Sequence, residues 1–570
     1  MTFLPLRDRL AAVVRAALEA AQAAGDLPPF EIPAAVPVEP ARHAAHGDYA
    51  SPVCLGLARV VRRAPLQIAQ ALISHLPPTD FIGGVEAVAP GYLNFTLSEP
   101  WLAQQVAVIL EAGERWGNVA LGEGQRVQVE FVSANPTGPI TIGSARNAVI
   151  GDTVAAVLEA AGYQVEREYY VNDAGSKARK LAVSVFNQYA LRLGAPAMLD
   201  EETYPGTYIG AMAESLAASA GGRYLELERE TALREIMRWA IEQVLQTVAE
   251  DLARLRVHFD TWRHERDFYA PGPEGQPSLF EQRLAALREG GYIIERDEAL
   301  WFTHPDLDKD AVLIRSPRVV PNPEDRPTYL ASDAAYVWDK LVLRGFDRAI
   351  YVWGADHHGD VPRLLAVTQA QGLDPSRVNI ILYQMVTLLR GGVEVRMSKS
   401  SGEFVTLREL VDEVGPDPIR FMMLTRTVDV TLDFDLDLAL EQSDRNPVYY
   451  VQYAHTRIAG VLRKATELGL TLDAPGDLTL LTHPSELALI RKMLALPEII
   501  ALAATALAPH HLTLYATELA ALFHAFYRDC RVVDPEDLPL TQARLMLARA
   551  AQTVLARVLH LMGMAAPERM

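Results

Sequence analysis

Cysteine is almost missing: only Cys54 and Cys530 occur in 570 residues. That excludes a disulfide scaffold or a cysteine-based zinc cluster and fits a reducing compartment. No stretch offers the roughly 20 uninterrupted apolar residues of a membrane span, so none is expected. The opening "MTFLPLRDRLAAVVRAALEAAQAAG" carries charges inside its would-be apolar region, so it reads as an amphipathic helix and not as an export signal. A cytoplasmic location is expected. Positive charge is short too: 53 Lys and Arg stand against 72 Asp and Glu, for a formal net charge of −19. A general nucleic-acid binder needs basic surface to meet phosphates; only a local basic stripe on an acidic body is compatible with this balance. Internal repeats and low-complexity tracts are lacking.

What is present divides into three kinds of text. A chain this long is expected to hold about three or four domains. Residues 1–115 mix helices with short strands: "SPVCLGLARVVRRAPLQIAQALISHL" has helical period, and "VEAVAPGYLNFTL" reads as two strands around Pro90–Gly91. From about 120 to 440 strands alternate with helices. "RVQVEFV", "QVEREYYV", "RAIYVWG" and "VNIILYQMV" are the strand candidates, and the alternation predicts a mostly parallel sheet with crossover helices. "RSPRVVPNPEDRPTY" reads as an exposed loop. From about 441 onward nearly everything is helical and rich in Ala and Leu, which predicts a helix bundle.

Three places carry chemistry. In "VQVEFVSANPTGPITIGSARNAVIGD" a strand runs through a turn into a helix predicted to begin near Gly143–Ser144. A helix N-terminus presents unpaired N–H groups and partial positive charge to a phosphate, and Gly143 admits close backbone approach. A plain strand-to-helix turn with a Ser144 cap has the same pattern. In "YVWGADHHGDVPR" a strand ends at Gly354 before Asp356, His357 and His358. Ligands of open α/β sheets bind outside the carboxyl ends of strands, where a carboxylate can accept ribose hydroxyls. Adjacent histidines also raise a metal, but no further His or Cys cluster completes a cage. In "VEVRMSKSSGEFVTL", Arg396 and Lys399 flank small polar residues, a composition suited to stabilising a departing pyrophosphate or simply to a solvated loop.

The chain resembles a class I aminoacyl-tRNA synthetase, specifically the bacterial-type arginyl-tRNA synthetases. The resemblance rests on "HGDYASPVCLGLAR", "EFVSANPTGP", "EREYYVNDAGSKARKL", "ALWF", "FDRAIYVWGADHHGDVPR", "QMVTLLRGG", "RMSKSSGEFVTL", "NPVYYVQYAHTRI" and the final "APERM", in the family's order. It implies a Rossmann-type α/β catalytic domain (116–440), an N-terminal α+β domain that touches tRNA (1–115) and a C-terminal all-α bundle that reads the anticodon (441–570). The implied reaction joins arginine to ATP as arginyl adenylate, then to tRNA(Arg). ATP with Mg2+ is the implied nucleotide, no zinc is expected, and a monomer is the default.

Site residues follow from the resemblance position by position. Asn135, Glu265, Tyr329, Asp333 and Gln384 correspond to amino-acid contacts. A guanidinium has five donors in a fixed fork and stays charged, so a selective pocket wants carboxylates of matching plane. Gly143, Gly354, Asp356, His357, Met397 and Lys399 are implied for ATP, and Thr141, Gly143, Ser144, Arg396 and Lys399 for catalysis. Candidates for tRNA are Tyr449, Tyr453, Arg457 and Arg528, since unpaired bases stack on aromatic and Arg planes; tyrosines at helical spacing are equally at home in a core.

One departure bears on function. The family's first signature is His-x-Gly-His, and here it reads Thr141-Ile142-Gly143-Ser144. Hydroxyls can donate but never carry positive charge, and loss of one preorganised donor typically costs about 10²–10³ in rate. Ala145 and Asn147 also stand where the family often has glycine. Three readings follow: an arginine–tRNA ligase with an altered signature, a non-charging homologue that binds arginine, ATP or tRNA, or an enzyme for another guanidino or amino acid.

Overall fold

The computed structural model describes residues 2–197, 202–395 and 405–570. The leading helix Leu6–Ala23 buries Leu6, Leu10, Val13, Val14, Ala17, Leu18 and Ala21, a three-and-four spacing that defines one apolar face. With helices Val53–Val61 and Pro65–Ile73 it accompanies a four-stranded antiparallel sheet of Glu39–Pro40, Tyr49–Ser51, Tyr92–Leu97 and Ile82–Val88, in that order. The two strands expected around Pro90–Gly91 are the inner and outer members of this sheet.

The central sheet has five parallel strands: β1 (Arg126–Glu130), β2 (Gln164–Val171), β3 (Thr261–His264), β4 (Arg348–Gly354) and β5 (Val378–Tyr383). Their spatial order is β5-β4-β1-β2-β3, a doubly wound arrangement with β1 in the middle. β1 and β4 are buried almost throughout, as strands covered by helices on both faces must be. "VNIILYQMV" is not one strand. It breaks at Gln384–Met385, and Val386–Arg390 pairs instead with Leu432–Asp435 in a separate small sheet. Gln384 N–H bonds Val428, which turns the chain out of the parallel ladder.

Helix α1 (Ile142–Ala160) follows β1 and is buried nearly all round. A Cβ on Gly151 would sit 2.2 Å from the Phe131 ring, so only glycine lets α1 lie this close to the end of β1. Helix α2 (Ser176–Arg192) follows β2, and α3 (Tyr329–Trp338) follows an inserted three-stranded antiparallel sheet of Ile293–Arg296, Ala299–Phe302 and Ala311–Ile314. The loop expected before Tyr329 is stitched to that sheet: Thr328 Oγ1 donates to Val312 O at 2.6 Å and Arg315 N–H to Arg326 O at 2.9 Å.

The C-terminal part is helical, with α4 (Pro447–Glu467), α5 (His510–Asp529) and α6 (Leu538–Leu561) its longest helices. It interlocks with the rest of the molecule. The fully buried Arg420 donates to Met562 O, Leu255 O and the Asp152 carboxylate, and Trp116 Nε1 donates to Met493 O at 3.1 Å.

Candidate active site

The carboxyl end of β1 is held in an unusual backbone state. Val132 and Ser133 have φ of 65° and 40°, the left-handed region that a β-branched residue seldom enters. Side chains from three elements hold them there. Asn147 Oδ1 accepts Val132 N–H at 2.6 Å, while its Nδ2 donates to Val352 O at 2.9 Å. Ser133 Oγ donates to Glu130 Oε1 and accepts Tyr170 N–H, each at 3.1 Å. Asn172 Nδ2 donates to Ser133 O at 3.2 Å and the Tyr169 hydroxyl to Ala134 O at 2.9 Å. Asn135 is therefore presented by a strained, over-determined loop, a condition typical of ligand clamps.

Helix α1 begins at Ile142, with Thr141 and not Ser144 at the cap position; the Thr141 side chain makes no capping bond. Ser144 N–H donates to Thr141 O at 3.0 Å. Among the described residues, a Cβ on Gly143 would meet nothing nearer than Thr141 Oγ1 at 3.8 Å, so their packing leaves space in front of Gly143. Thr141 also pairs with Thr406 in an isolated antiparallel bridge, and Leu407 N–H donates to Ile140 O at 2.9 Å. The signature turn is thus tied to the start of the helix Leu407–Val414.

A cavity of about 190 Å³ gathers Asn135, Asn172, Lys177, Glu265, Tyr269, Arg315 and Tyr329 from β1, β2, β3 and α3 surroundings. Glu265 is 5% exposed, and its Oε1 accepts Ser332 Oγ at 2.6 Å. Ser332 in turn meets the Tyr269 hydroxyl at 2.9 Å. Burial is the main reason the Glu265 carboxyl is pushed up to about 7; the Ser332 bond opposes the shift and the Asp173 charge adds to it. Tyr329 opens α3 and is 52% exposed at the cavity mouth. Asp333 lies one turn further along α3, half-buried, and is not among the residues lining the cavity. Burial, then the carboxylates of Glu130, Glu265 and Asp360, hold its carboxyl well above the usual range. Two carboxylates that burial keeps from ionising make a site that a bound cation would relieve.

The other expected residues lie elsewhere on the same sheet edge or beyond it. Gly354 ends β4, and Asp356 and His357 follow in an exposed 3₁₀ turn in which His357 Nδ1 lies 3.2 Å from Asp360 Oδ2. Gln384 contributes its backbone: its carbonyl accepts Arg146 Nη1 at 2.7 Å, and its side chain does not line the cavity. Arg396, Met397 and Lys399 lie outside the described residues. Among the described residues no group of three His, Cys, Asp or Glu could hold a metal, no helix is long and apolar enough to cross a membrane, and both cysteines are free and buried.

Several residues of the site went unnoticed in the sequence. Arg146, fully buried on α1, donates to the carbonyls of Gln384, Val430 and Thr427 at 2.7–3.0 Å. Lys340 Nζ, also fully buried, donates to Glu130 Oε2 at 2.6 Å beneath the Ser133 turn. The signal was available only as charged residues within apolar runs; their partners are far away in sequence.

Among the C-terminal candidates, Tyr449 and Tyr453 stack on α4 with centroids 5.7 Å apart. Arg457 lies 4.6 Å over the Tyr453 ring and 5.1 Å over Tyr527 of α5. These tyrosines are half-buried or exposed and not core residues. Arg528 stands apart from the stack and pairs with Asp529 at 2.9 Å.

Three family models match successive stretches of the chain: the arginyl tRNA synthetase N terminal domain over 8–97, the class I (R) tRNA synthetase catalytic domain over 105–428, and the DALR anticodon binding domain over 451–570. An arginine–tRNA ligase of Dehalococcoides mccartyi strain CBDB1 is 42% identical over 571 residues, with 100% of each chain covered. One from Heliobacterium modesticaldum is 43% identical over 578 residues, with 99% of each covered. The solved Thermus thermophilus arginyl-tRNA synthetase superposes with a TM-score of 0.76 at 24% identity, over 99% of this chain and 100% of that one, a likeness of fold.

Proposed function

The chain belongs to the arginyl-tRNA synthetase family, and from that premise we propose how its own residues divide the work of an arginine–tRNA ligase. Arginine and ATP react when an arginine carboxylate oxygen attacks the α-phosphorus and pyrophosphate leaves. A terminal ribose hydroxyl of tRNA(Arg) then attacks the adenylate carbonyl, and AMP leaves. The observation that carries this reading is Glu265: a buried carboxylate with a raised pKa, fixed by Ser332, in one cavity with Asn135 and Tyr329 and beside Asp333.

In this reading Glu265 and Asp333 receive the guanidinium fork, and Tyr329 packs at the mouth. Burial of the carboxylates favours a planar cation able to satisfy both. Asn135 orients the amino-acid end of the substrate. ATP lies over Gly143 and the carboxyl ends of β1 and β4, with Asp356 and His357 at its ribose side; Mg2+ arrives with the nucleotide as part of the substrate. Thr141, Ser144 and the α1 N-terminus serve the phosphates with uncharged donors, and Arg396, Met397 and Lys399 are assigned to the departing pyrophosphate. Residues 1–115 and 441–570 hold the tRNA, the latter with the Tyr449–Tyr453–Arg457 stack under an unpaired base. The working unit is a monomer, and its free cysteines suit the cytoplasm.

The test is charging of tRNA with labelled arginine by the wild type and by Glu265→Gln. The wild type should form arginyl-tRNA, and Glu265→Gln should lose at least about tenfold in kcat/KM for arginine through loss of a charged hydrogen bond. Wild type that binds arginine and tRNA yet forms no product would instead favour the non-charging reading.

A further inference from the structure

Glu265 sits between two elements too short to fix it alone: β3 has four residues, and the helix Arg266–Tyr269 has four. A carboxylate that must meet a fork-shaped cation needs its backbone fixed to within about 0.5 Å. The Glu265 N–H donates to Val171 O at 3.0 Å, which holds one point. Of the flanking residues, His264 pairs with Val171 at the end of the β2–β3 ladder, and both it and Arg266 are gripped by one residue just past β2, Asp173.

The Asp173 side chain is fully buried, next in sequence to Asn172 of the cavity wall. Its Oδ1 accepts the backbone N–H of Arg266 at 3.1 Å. Its Oδ2 lies 2.7 Å from His264 Nδ1 and 3.1 Å from Arg266 Nη1. An ionised carboxylate only accepts, so Nδ1 carries the proton toward it. One carboxylate therefore grips the residue before Glu265 and the residue after it.

We infer that Asp173 is a positioning residue for the arginine pocket, aiming the Glu265 carboxylate through its grip on His264 and Arg266. The inference rests on the reading that Glu265 receives the guanidinium. Asp173 does not line the cavity and touches no substrate; it acts on the angle and depth at which Glu265 enters. Its negative charge is also felt by Glu265, so neutralising it leaves a second, electrostatic trace that a simple buttress would not.

Asp173→Asn keeps the shape and turns an acceptor into a donor facing His264 and Arg266. In arginine-dependent ATP–pyrophosphate exchange at pH 8, the arginine KM should rise at least tenfold while the ATP KM stays within twofold. The acid limb of the arginine-KM profile should move to lower pH, because Glu265 loses a like charge. His264→Gln with Arg266→Met removes two of Asp173's partners at partly exposed positions, and should raise the arginine KM severalfold even if Asp173→Asn does not fold. An arginine KM within twofold of wild type in the folded variants, alongside a large rise in Glu265→Gln, overturns the inference. An unchanged arginine KM in Glu265→Gln removes the pocket reading itself, and this inference with it.

Discussion

The side-chain amide of Asn147 joins two strand ends that no ladder connects at that point: Oδ1 accepts Val132 N–H at 2.6 Å and Nδ2 donates to Val352 O at 2.9 Å. Val132 is in the left-handed region, so its N–H cannot return to the sheet. Asn147→Ala leaves a strand-end donor and acceptor unpaired, which costs about 1–3 kcal/mol per buried group. Thermal denaturation should register a fall of roughly 1–2 °C per kcal/mol for a unit of this size. An unchanged midpoint would mean that the turn holds its shape without Asn147.

Arginine binding should expel protons. The Glu265 carboxyl is pushed up to about 7 by burial, so much of it is protonated at pH 6 in the free protein, and a guanidinium selects the ionised form. Affinity therefore falls as pH drops below about 7 and levels off above it. Calorimetric titration at pH 6 in buffers of different ionisation enthalpy should report proton release that declines by pH 8 and shrinks in Glu265→Gln. Zero release at pH 6 would place the arginine elsewhere.

Asp333→Asn should weaken arginine binding strongly and leave ATP binding nearly intact. Removing one partner of a buried charge pair usually costs about 3–5 kcal/mol. Asp333 is not among the residues lining the cavity, although the Glu265 charge acts on its carboxyl. Calorimetry on arginine decides: a change below threefold removes Asp333 from the pocket.

Much of this was legible in the chain. "RAIYVWG" is the strand Arg348–Gly354 residue for residue, because a parallel strand covered on both faces is one apolar run. The Pro90–Gly91 turn and the C-terminal helices were equally plain. Asn135, Glu265 and Tyr329 were identifiable as a set through family resemblance and meet in one cavity. What the sequence hid is whatever depends on long-range pairing. Ser332 reaches Glu265 across 67 residues and Lys340 reaches Glu130 across 210, and no local pattern marks either. The break at Gln384 was hidden for the same reason: "VNIILYQMV" has strand composition throughout, and only its partner at Val428 divides it.

Base stacking on the C-terminal helices should depend on the α4–α5 aromatic group. Cutting the chain near residue 440 is a poor test, because Arg420 and Trp116 are anchored to the C-terminal part. Point variants avoid this. Tyr453→Ala should weaken tRNA binding by about 1–3 kcal/mol, and Arg457→Ala should also lower the salt dependence. Arg528→Ala, whose guanidinium is engaged by Asp529, should change little. Filter-binding or fluorescence titration across salt concentrations checks all three, and a dominant loss at Arg528 would relocate the contact.

The altered signature is the point on which function turns. Arginine-dependent ATP–pyrophosphate exchange, run with tRNA present on the wild type and on Thr141→His with Ser144→His, measures it directly. Thr141 stands at the cap position of α1 with no capping bond to lose, and among the described residues nothing packs in front of Gly143; imidazoles at 141 and 144 would add donors that can carry positive charge where charge develops. The wild type should exchange with arginine and not with lysine, and the double variant should be faster by at least about tenfold. If neither form exchanges while both bind arginine, the chain does not activate its amino acid and the ligase reading is contradicted.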